Sequence, residues 1–426
     1  MRKLFAYSVG AAALALLQAC HSDIDNVSSG LSSYYYVERM KKLLLSPAYE
    51  GSSYRWTMRL ADGRDTLLST ERDYVFLAER EGTYSLTFEL DDGQRGFRHS
   101  FPVTVVHEET EYSPYTARVY EYRPAPGQFV NTMPIYEEGD TEETMRQKAE
   151  DDLVNDVMVS LGSYGGYVTF GFDHTVVNVP GKKDFYIKGN AFYSDIPAYK
   201  DKQGGSAEPG IVMVAFDRNG NGRADDDEWY ELAGSEHGKP STTRGYEITY
   251  SRPDGHTPVR DMTGMLTDTV YIPWRDNMGG KGYVAKNMYH TQDYYPKWIG
   301  DSVMTFKGTL LAPNGVDESR RGTYYVLYAY PWGYVDNHPN DKTDLCSFDI
   351  SWAVDRQGSP VHLPGADFIR VYTGVRQCCG WLGETSTELS RAQDLHIGTR
   401  ATAAGDPPGD SAAGKAQAQQ PEQDTK

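Results

Sequence analysis

The sequence predicts an all-β protein in which a short β-sandwich is followed by a larger, jelly-roll-like β-sandwich. Three observations carry this expectation. Between positions 53 and 372, segment after segment alternates apolar and polar residues with the period of two that a half-buried strand requires. Thirty-two tyrosines and seven tryptophans, with few long apolar runs, suit the pleated surface of strands. Only one segment, 140–153, combines helix caps with helix formers, so the strand-helix alternation of a parallel sheet is missing.

At the N-terminus, Arg2 and Lys3 supply a positive start, and the apolar stretch 4–17 is too short to cross a bilayer as a permanent helix. It ends in Leu17, Gln18, Ala19 and Cys20, which resemble the bacterial lipobox, where a small residue precedes a cysteine that is acylated and becomes the new N-terminus. Residues 1–19 are therefore expected to be a signal peptide, Cys20 the lipidation site, and 20–33 a polar tether. Two or three acyl chains anchor a protein stably. His21 is not the aspartate that retains some lipoproteins in an inner membrane, and Asp23 and Asp25 make an acidic start. The expected location is the outer membrane, facing outward.

From 34 to 106 strands are expected at 53–60, 74–77, 82–90 and 101–106, separated by the turn signals Asp62-Gly63 and Asp91-Asp92-Gly93. They make a short immunoglobulin-like sandwich. The Trp56 strand, with Gly82, Thr83 and Tyr84 opening a later one, resembles the PKD-type module that serves bacterial surface proteins as a spacer. The charged run 107–111 and Pro114 read as a link. A ligand-binding sandwich domain is expected over 117–397. In it Asp140 and Thr141 cap a helix over 142–153, with Glu142 and Glu143 where the helix dipole favours acids. Strands follow at 167–172, 184–188, 210–216, 246–250, 323–330, 348–354 and 368–372, joined by long loops. Residues 398–426, rich in Ala, Gly, Gln, Pro and Asp without an aromatic, are expected to be a disordered tail.

A formal charge of −18 argues against nucleic acid or an anionic membrane surface as partner and is compatible with cation binding. Besides Cys20 there are Cys346, Cys378 and Cys379, an odd set with no zinc spacing. One pair and one thiol, or three thiols, both satisfy it.

The sharpest chemical signal is a twelve-residue calcium loop from Asp217 to Glu228. Asp217, Asn219 and Asn221 place side-chain oxygens at positions 1, 3 and 5, Gly222 allows the sharp turn at 6, Arg223 offers a carbonyl at 7, and Asp225 and Glu228 supply oxygens at 9 and 12. Calcium needs such a ring of hard oxygens because one flexible loop must provide six to eight ligands. Strand-like segments flank the loop, so the expected cofactor is a structural calcium set in a β-sheet.

Glycine-rich aromatic segments form a second set: 160–167, 274–283, Tyr289 and His290, Tyr294, Tyr295 and Trp298, and 330–338 with Tyr330, Trp332 and Tyr334. Loops that mix rings with Gly, Asn and His can clasp a large flat ligand by stacking while polar groups bond its edge. Catalysis finds little support: the sequence has no G-x-S-x-G, H-E-x-x-H or P-loop, and its ten histidines stand singly. No enzymatic activity is expected.

Several strings between 118 and 397 carry a family resemblance. They are Val119-Tyr-Glu-Tyr-Arg-Pro-Ala-Pro-Gly-Gln-Phe-Val-Asn131, Ser160-Leu-Gly-Ser-Tyr-Gly-Gly-Tyr167 with Gly171-Phe-Asp-His174, Glu208-Pro-Gly-Ile-Val212, Glu228-Trp-Tyr-Glu-Leu-Ala-Gly-Ser235, and Val371-Tyr-Thr-Gly-Val375 leading to Gly380-Trp-Leu-Gly-Glu384. They resemble surface lipoproteins of gut anaerobes that accompany TonB-dependent vitamin B12 transporters. The resemblance implies binding of cobalamin at the cell surface and its delivery to an outer-membrane transporter. Cys378 and Cys379 are not part of that pattern. A glycan-binding or adhesive role is the alternative, since Tyr and Trp platforms also stack on sugars.

Overall fold

A computed structural model gives the fold for residues 29–93, 96–194, 203–253 and 255–397. The expected signal peptide 1–19, Cys20, most of the tether and the tail 398–426 lie outside the described residues. What is described is all-β, built of several sheets with no barrel and with one α-helix.

The N-terminal strands form a five-stranded sheet in the order Tyr35–Glu38, Gly96–Val106, Gly82–Asp91, Ser53–Arg59 and Asp65–Ser69. Leu43–Leu45 pairs with Tyr74–Phe76 as a second, two-stranded sheet. Alternation decides the faces: in Gly82–Asp91, Leu86, Phe88 and Leu90 are buried while Thr87 and Glu89 are less so. Burying side chains of this size stabilises by roughly 1.5–3 kcal/mol each. They close on Trp56, which is fully buried, lies 4.5 Å from the Phe88 ring and donates its Nε1–H to Glu71 O at 3.0 Å. Ser29 and Leu31 are already buried in this unit, and Ala48 N–H donates to Ser29 O. The tether expected to run to 33 therefore ends before 29. Strands at 35–38, 43–45 and 65–69 escaped the sequence because each is short and none buries every second residue cleanly.

The larger body centres on a six-stranded antiparallel sheet ordered Ala353–Val354, Trp229–Leu232, Gly210–Ala215, Phe368–Thr373, Tyr167–Gly171 and Arg118–Arg123. Its two central strands, Gly210–Ala215 and Phe368–Thr373, are buried almost throughout, which explains their continuous apolar runs. A four-stranded antiparallel sheet, Lys281–Asn287, Leu266–Asp276, Thr243–Ser251 and Val303–Leu310, shares one core with it through Ile248, Met304, Phe306, Val168, Val212 and Val371. Tyr372 ties the two layers, accepting from Thr309 N–H at 2.9 Å and donating to Glu231 Oε1 at 2.6 Å. The helix Glu142–Val154 is capped by Thr141 and buries Met145, Ala149 and Leu153, spaced by four along one face.

Two expectations are corrected. The strand expected at 348–354 is broken by a 3-10 turn, Ile350–Trp352, because the Asp349 side chain accepts from Ser351 N–H at 2.8 Å and offers the backbone a local alternative to the ladder. The glycine-rich segment 274–283, expected as a loop, is the tip of a hairpin in which Trp274 pairs with Gly282. Asp276 Oδ1 accepts from Met278 and Gly280 N–H and folds the turn, and a Cβ on Gly282 would come within 2.6 Å of the Trp274 ring. Here glycine marks close packing within a strand.

The N-terminal unit docks on the body. Lys42 Nζ lies 2.7 Å from Asp367 Oδ2 and 3.0 Å from Asp217 O, and Met40, Leu77, Val177, Val179 and Ile397 form a small shared core. The link 107–111 is pinned by Glu108, whose buried carboxylate pairs with Arg39.

Candidate functional site

Stretches distant in sequence meet against the four-stranded sheet. The turn 160–167 requires its glycines: Gly162 has φ +69°, and a Cβ there would lie 1.9 Å from Ala125 O. Ser163 and Tyr164 follow from that turn. The segment after Phe368–Thr373 bends through a 3-10 turn at Gly380–Leu382, placing Trp381 edge-on to Tyr289 at 6.0 Å. Gln128 clamps these pieces together. Its N–H donates to Glu384 Oε1 at 2.7 Å, its Nε2 donates to the carbonyls of Leu382 and Glu384, and its Oε1 accepts from Asn287 Nδ2.

The result is a cavity of about 150 Å³ whose wall includes Tyr164, Tyr250, Trp274, Tyr283, Arg376 and Glu384. Three of these residues carry a buried polar atom with no hydrogen-bond partner among the described residues: Tyr164 Oη, Arg376 Nε and Glu384 Oε2. Orphaned buried groups cost roughly 1–3 kcal/mol each, so three around one cavity mark a place for water or a ligand. The Arg376 guanidinium lies 4.2 Å from the Trp274 ring centroid. Burial pushes the Glu384 carboxyl well above its usual range. Tyr283 and Tyr289 are about half exposed, at 49% and 52%, and offer open rings.

Of the aromatic residues expected to bind ligand, Tyr289 and His290 stay outside the cavity wall: Tyr289 meets Trp381 edge-on, His290 packs edge-on to Phe129, and burial holds the His290 pKa below the usual range. Tyr294, Tyr295 and Trp298 are corrected to core residues. Tyr294 is fully buried, Tyr295 donates its hydroxyl to Asp301 O at 2.9 Å, and Trp298 stacks between Tyr122 and Tyr136. Tyr330 and Tyr334 are also interior: their rings pack at 5.4 Å, and their hydroxyls are engaged by Ala312 O and Glu236 N–H. Trp332 is partly exposed, but it packs on Trp352 and forms no part of the cavity wall. The sequence did not single out Arg376 or Gln128. Their only signal was that Arg376 directly follows the Val371–Val375 string and that Gln128 lies within the Val119–Asn131 string.

The loop expected to bind calcium, Asp217 to Glu228, joins the antiparallel strands Gly210–Ala215 and Trp229–Leu232. Asp217 and Glu228 are buried, at 8% and 3% exposure. Asp217 accepts from Asn221 and Gly222 N–H, Glu228 from Arg218 and Asp225 N–H, and Asp225 Oδ2 from the amides of Asn219 and Asn221. Gly222 has φ +74°, as the turn at position 6 requires. The Arg218 guanidinium comes no nearer to Glu228 than 4.0 Å, so the two buried carboxylates are held by N–H donors rather than by a close cationic side chain among the described residues. That donor set suits a hard divalent cation: Asp217, Asn219, Asn221, Asp225 and Glu228 would hold it by side-chain oxygens and Arg223 by its carbonyl.

A second acidic cluster was not anticipated. Glu208, Asp336 and Glu388 bring carboxylate oxygens within 4.8 Å of one another. Hydrogen bonds already occupy it: Glu388 accepts from the hydroxyls of Ser160 and Ser386 and bonds Glu208, while Asp336 accepts from Asn190 and Glu388 N–H. Burial drives all three above their usual range, Glu388 to about 7, which favours the protonated form within the cluster. Cys346, Cys378 and Cys379 are all free thiols.

Compared with protein-family models the chain matches none, and no curated protein is significantly similar to it.

Proposed function

We propose that this chain is a lipid-anchored surface protein that captures cobalamin at the cavity-bearing face and hands it to a TonB-dependent transporter in the outer membrane. The observation that carries the reading is the cavity whose wall residues include three with unpartnered polar groups and the half-exposed ring of Tyr283, on a face built in part from segments of the family-like strings. Cobalamin is a wide, flat macrocycle fringed with amide arms. Open faces on Tyr283 and Tyr289 suit the macrocycle, and a small polar cavity suits an arm. In this reading Cys20 carries the lipid, the N-terminal unit is a spacer, calcium at Asp217–Glu228 holds the connection between two interior strands of the six-stranded sheet, and no reaction is catalysed.

Sugar binding is the second reading, favoured by the pairing of the exposed Tyr289 ring with Trp381. Calorimetric titration with cyanocobalamin and with a glycan panel separates the two. We expect cyanocobalamin to bind with Kd of about 1 μM or tighter, and Tyr289→Ala and Trp381→Ala each to weaken it about tenfold, or ~1.4 kcal/mol. Binding of a glycan with none of cyanocobalamin would replace the first reading by the second.

A further inference from the structure

We propose that His174 is a proton-operated clasp on the link between the N-terminal unit and the body. With both ring nitrogens protonated it holds Asp173, and through Asp173 the link; on losing the Nδ1 proton it lets both go. The ring has no exposed side-chain surface. Its Nδ1 lies 2.8 Å from Asp173 Oδ1 and its Nε2 lies 2.9 Å from Asp394 Oδ2. Ionised carboxylates only accept hydrogen bonds, so both contacts are bonds at once only when the ring is an imidazolium.

Burial decides which bond yields when the ring becomes neutral. The Asp394 side chain is fully buried, its Oδ1 accepts from His396 N–H at 2.6 Å, and its own N–H donates to Pro114 O. Water cannot replace the ring there, so a lone pair turned toward Oδ2 would leave a buried acceptor without its donor. The Asp173 side chain is 38% exposed, and water can take the place of the ring on that side. The neutral ring therefore keeps its hydrogen on Nε2 and presents the Nδ1 lone pair to Asp173 Oδ1. Repulsion turns Asp173 outward. Its other oxygen, Oδ2, is the acceptor for Ser113 N–H at 3.0 Å, so the link loses that anchor. The groups facing His174 are Asp173 beside it in the chain, Asp394 from the strand Ala392–Asp394, and the Tyr112 ring of the link at 5.3 Å; behind Asp394, His396 Nε2 meets Asp184 Oδ1 at 2.8 Å. Burial alone would lower the His174 pKa, but the hydrogen bonds with Asp173 and Asp394 and their charges outweigh it and raise the ring above its ordinary value. The clasp is thus fully closed below the ordinary imidazole range and opens as pH rises through the raised folded-state value. Lys42 on Asp367 and the small core of Met40, Leu77, Val177, Val179 and Ile397 hold the two units together without His174, so the proton governs the link and not the docking.

The test is amide hydrogen exchange of the full chain at pH 5.5 and pH 8.5, corrected for the intrinsic pH dependence of exchange, with the strand Gly82–Asp91 as reference. Protection of the Ser113 amide is expected to fall at least about tenfold at the higher pH relative to the reference, and the ¹⁵N shifts of His174 to pass from imidazolium to the Nε2–H tautomer. Asp173→Asn still accepts from Ser113 N–H, and its amide can donate to a neutral Nδ1, so this variant should keep Ser113 protected at both pH values. A side chain that merely filled space would give the variant the same pH response as the parent. Ser113 protection that does not change with pH in the parent, an Nδ1–H tautomer at pH 8.5, or a fall in Asp173→Asn as large as in the parent would each overturn the clasp. The parent measurements decide the matter even if the variant fails to fold.

Discussion

Chelation of calcium, or the double substitution Asp217→Ala with Glu228→Ala, should lower the melting temperature of the body by about 5–10 °C. The loop crowds Asp217, Asp225, Asp226, Asp227 and Glu228 into twelve residues, and two of these carboxylates are nearly buried between the paired strands Gly210–Ala215 and Trp229–Leu232. Without a cation their repulsion acts directly on that strand pair, whose other edges pair with Phe368–Thr373 and Ala353–Val354. A cation that binds only the folded form, present at a hundred times its Kd, adds about 2.7 kcal/mol, and each kcal/mol is worth about 2–4 °C in a domain of this size. Asp226→Asn, at an exposed position outside the ligand pattern, should leave the calcium-dependent rise intact. Differential scanning calorimetry in calcium and in EDTA checks this. Identical curves, with no calcium binding by titration, would reduce the loop to an acidic turn.

How far the sequence could be read depended on whether a residue's role is local. Thr141 and the strand Gly82–Asp91 were legible because a cap and a period-two pattern are set by neighbours in the chain. The turn from Asp217 to Glu228 was legible for the same reason, since its hydrogen-bonding oxygens come from one dodecapeptide. The cavity was not: its wall draws on turn 160–167, a hairpin tip and the segment 376–385, and only the fold shows that Gln128 clamps Glu384. Aromatic loops misled where composition hid burial. Tyr294, Trp298 and Tyr334 look like displayed rings beside Gly, Asn and Pro, yet each is packed inside. Among the family-like strings, His174 sits between Asp173 and Asp394 with its side chain buried, so part of that pattern builds the interior rather than a ligand site.

Stability should fall as pH rises from about 5 to about 8, and the buried acids Glu208, Asp336 and Glu388 should be the main cause. Glu388 is raised to about 7 by burial, and Glu208 and Asp336 are raised well above their usual range by burial first and then by the charge of Glu388, with Asp336 adding to the effect on Glu208. In the unfolded chain such groups titrate near ~4, so between that value and about 7 the folded form holds protons that the unfolded form has released. The stability these groups contribute is therefore fully present below the unfolded pKa and is lost as pH rises through the folded one, at up to about 1.4 kcal/mol per pH unit for each group. Glu388→Gln should flatten this decline, since the amide still accepts from Ser160 and Ser386 and can donate to Glu208 without titrating. Glu388→Ala should be far worse, because it leaves two buried hydroxyls and the Glu208 carboxyl without that partner, at roughly 1–3 kcal/mol for each orphan. Melting curves at pH 5, 6.5 and 8 in EDTA, which keeps cations from competing with protons, measure both effects. A melting temperature that climbs across this range in the parent chain, or an undiminished slope in Glu388→Gln, would show that a shared proton does not hold the cluster.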